Sequence, residues 1–139
     1  MPCRPDHHER SLQVAGATVA MELHVCEVNG TLFAVSAADM KDPAKVDAAL
    51  HDLRDSALGK LRGEPVADTK APAWPGMTPQ PGAGRWTWTG PWPDGQRKQV
   101  LLRLAARGTW VVQAMVLGPE GENTVSAWAP FEEALRFQP

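Results

Sequence analysis

Val100-Leu101-Leu102-Arg103-Leu104-Ala105-Ala106-Arg107-Gly108-Thr109-Trp110-Val111-Val112-Gln113-Ala114-Met115-Val116-Leu117-Gly118 is the stretch that decides the fold. Two apolar runs meet at Arg107-Gly108, where glycine supplies the backbone freedom that a tight reversal needs. The stretch therefore predicts an antiparallel hairpin at the centre of the core. Val100, Leu102 and Leu104 alternate with Leu101, Arg103 and Ala105, as Trp110, Val112 and Ala114 do with Val111, Gln113 and Met115. Both faces are largely apolar, so each needs a cover.

Upstream, residues 21–28 alternate between Met21, Leu23 and Val25 on one face and Glu22, His24, Cys26 and Val28 on the other. Asn29-Gly30 follows, and both residues tolerate the positive φ of a type I′ turn. A second strand over 31–37 then sets Val28 opposite Thr31, Cys26 opposite Phe33 and His24 opposite Val35. His24 and Cys26 thereby share a side with two bulky apolar residues, the side expected to receive helices. Before this hairpin, residues 4–10 are charged and punctuated by proline, and residues 11–16 read as a short edge strand.

Downstream, Asp42-Pro43 is a helix start, a capping carboxylate followed by proline in the first turn. Val46, Leu50, Leu53, Ala57 and Leu61 recur at helical spacing and predict an amphipathic helix over 46–61, stopped by Gly63. Residues 64–84 are rich in Pro, Gly and Ala, which implies a short strand near 65–70 and then an irregular loop. Residues 85–89 resume strand alternation, and Pro91-Trp92-Pro93-Asp94-Gly95 turns the chain into the central hairpin. Trp128, Phe131 and Leu135 are spaced three and four apart, as in the docking face of a closing helix that begins at Ser126 or later. The sum is a single α+β domain over 1–139: an antiparallel, twisted β-sheet of about five to seven strands with flanking helices.

The chain of 139 residues has 43% hydrophobic residues, six Trp, no Tyr and a formal net charge of −2. Arg and Lys are scattered among carboxylates without a basic stripe, so nucleic-acid binding is not expected. No apolar run reaches the roughly eighteen residues of a membrane-spanning helix. Two cysteines, Cys3 and Cys26, are compatible either with a bridge or with two small buried thiols.

No set of residues points to catalysis. Pro81-Gly82-Ala83-Gly84 precedes a strand rather than a helix, so it offers no helix N-terminus to a phosphate. Glycines do not frame any serine as a nucleophile elbow. His24 and Cys26, two apart on one strand, are a conceivable zinc or copper pair, but no second pair stands at ligand spacing. No metal or cofactor is therefore expected. Trp74, Trp86, Trp88 and Trp92 cluster about the proline-rich loop, where aromatic rings form recognition surfaces or, on a strand face, simply fill the core. They are the candidate binding residues.

The order of these elements, with Gly30-Thr31-Leu32-Phe33-Ala34-Val35-Ser36-Ala37-Ala38-Asp39-Met40, the helix, the central hairpin and the closing Phe131-Glu132-Glu133-Ala134-Leu135-Arg136-Phe137, resembles small bacterial proteins of the PsbP-like fold. That superfamily also includes a Ran-binding nuclear import factor. The resemblance implies an exported or lipoprotein-like protein, with Met1-Pro2-Cys3-Arg4-Pro5 as the start of a trimmed mature chain and a disulfide between Cys3 and Cys26. The expected function is a non-enzymatic accessory or binding protein of the bacterial envelope, periplasmic or otherwise extracytoplasmic, with a protein partner at the Trp74 to Trp92 region. The alternatives are a cytoplasmic location, a small-ligand carrier or enzyme with a pocket between sheet and helix near His24 or His51, and a weak metal binder.

Overall fold

The computed structural model describes residues 4–59, 61, 65–67, 77–121, 124, 126–128 and 131. Seven strands form one antiparallel sheet: β1 (Asp6–Val14), β2 (Ala17–Val28), β3 (Thr31–Asp39), β4 (Val66–Ala67), β5 (Gly84–Pro91), β6 (Arg97–Arg107) and β7 (Trp110–Pro119). Their order across the sheet is β1-β2-β3-β7-β6-β5-β4. The predicted central hairpin, β6–β7, is thus flanked by strands on both sides.

Tight turns set the register of each hairpin. Asn29 and Gly30 have φ of 52° and 80°, and they place Val28 against Thr31, Cys26 against Phe33 and His24 against Val35, as the Asn-Gly reading requires. Ala15 and Gly16, at 51° and 77°, close β1 onto β2 in the same way. Between β6 and β7 the turn is Gly108-Thr109, one residue later than expected, because Arg107 still pairs with Trp110. Only the first of its two central residues has positive φ, so the glycine occupies the type II′ position rather than the second position of a type I′ turn.

One helix, α1 (Val46–Leu58), packs on the sheet after a single 3-10 turn over Pro43–Lys45. Asp42 caps that turn by accepting the Ala44 N–H at 2.9 Å. The helix ends at Gly59, earlier than the predicted 61, and Gly63 lies outside the described residues. Val46, Leu50 and Leu53 meet Val100, Leu102, Leu104, Ala106 and Val111 from the sheet and Val14, Val19 and Met21 from the first hairpin. Full burial of Leu50, Leu102 and Leu104 stabilises the fold by about 2 kcal/mol per side chain. Asp52 pins the first hairpin to the helix by accepting the Ala15 N–H at 2.7 Å.

The opposite face carries Cys26, Phe33, Leu101, Ala105, Ala114 and Val116 under Trp128 and Phe131. Thr124, residues 126–128 and Phe131 are helical. Phe131 meets Phe33 edge-on at 5.3 Å between ring centres, and Trp128 meets Phe131 edge-on at 6.0 Å. His24 and Cys26 therefore lie on the face away from α1.

The fold class is accordingly mainly β, which corrects the expected α+β domain with flanking helices. Strand accounts for 56% of the described residues and helix for 19%, with α1 as the one full helix among them. Two physical causes account for the difference. The edge segment before Val14 is a nine-residue strand rather than an irregular lead-in, and β2, β6 and β7 each run ten residues or more.

Candidate binding site

A two-residue turn at Ala15-Gly16 forces His7 opposite His24 and Glu9 opposite Glu22. Facing residues of an antiparallel pair project to one side, so these four side chains form a polar patch on the face away from α1. Strand β1 is the sheet's edge, and its residues 6–13 are exposed. Beside the patch, β2 runs past the end of β3, because Met21 pairs with Ala38 whereas residues 17–20 pair with β1 alone. This offset opens a notch at the end of the sheet.

The notch is a cavity of about 330 Å³ whose walls include Glu9, Glu22, Asp39, Lys41 and Trp110. Asp39 and Trp110 face each other as the last register pair of β3 and β7. The Thr109 hydroxyl donates to Asp39 Oδ1 at 2.6 Å and the Lys41 N–H donates to the same oxygen at 2.9 Å. These two bonds, the Thr109 one first, hold the Asp39 carboxyl below its ordinary value, so it is a fixed negative charge at neutral pH. Trp110 is 44% exposed, a large apolar ring left at the surface among three carboxylates. Such a set suits a cationic group that rests on the ring while its charge meets the acids.

Glu22 belongs both to this notch and to a second grouping. One ligand-type atom from each of His7, Glu22 and His24 lies within 4.8 Å of the other two.

The tryptophans named from the sequence fall elsewhere. Trp86, Trp88 and Trp92 join the α1 side of the core, with Trp88 only 2% exposed. Trp92 meets Trp88 edge-on at 6.3 Å, and the Lys98 ammonium stands 5.5 Å over its ring. Trp86 lines a second cavity of about 280 Å³ with Arg54, Asp55, Leu58, Gly59 and Pro65. Trp74 lies outside the described residues, so the four are not seen as one surface. His51, on α1, is 3.4 Å from Asp47, and α1 packs on the face of the sheet opposite to His24. Between α1 and the sheet the space is filled by Leu50, Leu53, Leu102 and Leu104.

Cys26 is buried and is not a free thiol. It is therefore no partner for a metal with His24. Cys3 lies outside the described residues. Among the described residues no helix is long and apolar enough to cross a membrane.

Sequence reasoning did not single out Glu9, Asp39, Trp110 or the His7–His24 pair. The pair had a local signal, because Ala15-Gly16 read as a two-residue turn generates the whole β1–β2 register. By its fold the chain is a mainly-β protein with one open sheet and an acidic, tryptophan-bearing notch at the end of that sheet. Compared with known proteins, it matches no family model, no curated protein and no solved structure.

Proposed function

We propose that the protein is a non-enzymatic accessory or binding protein of the bacterial cell envelope, and that it holds a lysine or arginine side chain of a partner polypeptide in the notch. The observation that carries this reading is Trp110, an exposed ring in a cleft walled by Glu9, Glu22 and Asp39. A cation on a tryptophan face gains about 0.5–1 kcal/mol at an exposed site, and neighbouring carboxylates add to the attraction and steer the approach. The envelope location rests on the resemblance described above and on a Cys3–Cys26 disulfide, a bond of oxidising compartments. The bridge is checked separately by alkylation of the unreduced protein and mass measurement.

The test of the notch is titration of the full chain with fluorescent peptides that differ only in carrying lysine and arginine, neutral glutamine, or glutamate. Capture of the cationic peptide alone, weakened about twofold to fivefold by Trp110→Ala and untouched by Trp92→Ala, is the expected result. Equal capture of all three peptides, or a Trp110→Ala variant that binds as the parent does, refutes the assignment.

A further inference from the structure

We propose that His7, Glu22 and His24 form a binding site for a divalent transition-metal ion of the zinc and copper type. Two imidazoles and one carboxylate are a donor set that suits Zn2+ or Cu2+, whereas Ca2+ and Mg2+ require oxygen ligands throughout. The placement follows from the backbone. The Ala15-Gly16 turn sets His7 directly across from His24, and Glu22 stands two residues before His24 on the same face.

The side chains already converge. The two imidazole rings face each other at 4.7 Å between centres with a 32° tilt, instead of splaying into solvent. The three ligand atoms lie within 4.8 Å of one another. Tetrahedral coordination with metal bonds near 2.0–2.1 Å places ligand atoms about 3.3 Å apart, so closure needs side-chain movements of only about 1 Å. Among the described residues no hydrogen bond or ion pair commits His7, Glu22 or His24 to another group. Glu9, paired with Glu22, adds a fourth polar group at the rim and a second negative charge.

Three protein donors leave one position of a tetrahedral ion open to water or to a ligand. One donor comes from the edge strand and two from its neighbour, so the ion ties β1 to β2. It binds the paired hairpin and not the separated strands, and therefore stabilises the folded state by an amount that grows with the logarithm of its concentration. Glu22 is shared with the notch, but the imidazoles of His7 and His24 do not line it, so the metal site does not rest on the cationic-peptide reading.

The experiment is calorimetric titration of the metal-stripped full chain with Zn2+ and with Cu2+, paired with thermal melts. The expected result is saturable binding of one ion per chain, tighter for Cu2+ than for Zn2+, with a metal-dependent rise in Tm. His7→Ala and His24→Gln should each weaken binding by about tenfold or more. His8→Ala should change nothing, because the neighbouring histidine projects to the other face of the sheet. His7 is exposed on an edge strand, so its removal leaves the fold intact, and circular dichroism verifies this. His7→Ala also leaves cationic-peptide capture unchanged, which separates failure of this site from failure of the notch. Absence of saturable binding, or equal losses in His7→Ala and His8→Ala, overturns the assignment.

Discussion

Gly118→Ala tests how the face away from α1 is covered. An added Cβ at this position meets Thr124 Oγ1 at 2.6 Å, Thr31 Oγ1 at 2.9 Å and Thr31 Cγ2 at 3.2 Å. Gly118 is not among the residues with positive φ, so the backbone itself accepts alanine and the cost is contact alone. Overpacking of this kind costs about 1–3 kcal/mol, while the loss of glycine's freedom in the unfolded chain returns about 0.4–1 kcal/mol. The net expectation is a loss of about 1–2 kcal/mol. With a urea slope of about 2 kcal/mol/M, the midpoint falls by about 0.5–1 M.

The contacts also identify who resists. Thr124 is 1% exposed and donates its hydroxyl to the Pro119 carbonyl at 2.7 Å, a bond that fixes the start of the segment bearing Trp128 and Phe131. Thr124→Ala alone loses that bond, at about 1 kcal/mol. In the double variant the new methyl loses its nearest contact, the Thr124 hydroxyl, and keeps only those with Thr31, so the two losses should fall short of additivity by about 0.5–1 kcal/mol. Urea melts of the four proteins measure the cycle. A Gly118→Ala protein as stable as the parent, or a double variant with fully additive losses, refutes the argument that Gly118 is there for close packing.

Further outcomes are expected elsewhere in the chain. Ala15 sits at φ 51°, where a Cβ is strained by about 1–2 kcal/mol, so Ala15→Gly should stabilise the protein by about 1 kcal/mol in the same urea assay. Leu102→Ala, fully buried under α1, should destabilise it by about 2–5 kcal/mol and lower Tm in calorimetry. The folded-state pKa of Asp39 lies below its unfolded value of about 3.8, so its stabilisation is complete above that value and is lost as pH falls through the lowered one. Thr109→Val removes the main cause, and the fall in stability as pH drops below about 4 should become shallower than in the parent.

Much of the sheet was legible because its signals are local. Asn29-Gly30 set the β2–β3 register without help from the rest of the chain, Asp42-Pro43 marked the start of α1, and the alternation in 100–118 marked β6 and β7. Of strand β1 only the end was read, as the short edge strand at 11–16; its first half was hidden because an edge exposed on both faces carries no apolar alternation to read. Its charges and Pro5 resembled an irregular lead-in. Trp86 and Trp88, two apart on one strand, fill the α1 side of the core as their shared face allowed, but a sequence does not say which face the helix takes. The notch was illegible because Glu9, Glu22, Asp39 and Trp110 reach it from four strands. Two hairpin registers and the long-range β3–β7 pairing had to be known together.

That β3–β7 pairing governs how the chain can assemble. Every other pair of neighbouring strands is consecutive in sequence, so β1–β2–β3 and β4–β5–β6–β7 are each a meander of sequence neighbours. The two meanders join along one seam, where Asp39 and Thr109 stand 70 residues apart. Closing a flexible loop of that length costs about 4 kcal/mol of chain entropy, less whatever part α1 has already ordered. The seam is therefore the slow event in folding: its substitutions should retard refolding, whereas substitutions in the outer hairpins should chiefly hasten unfolding.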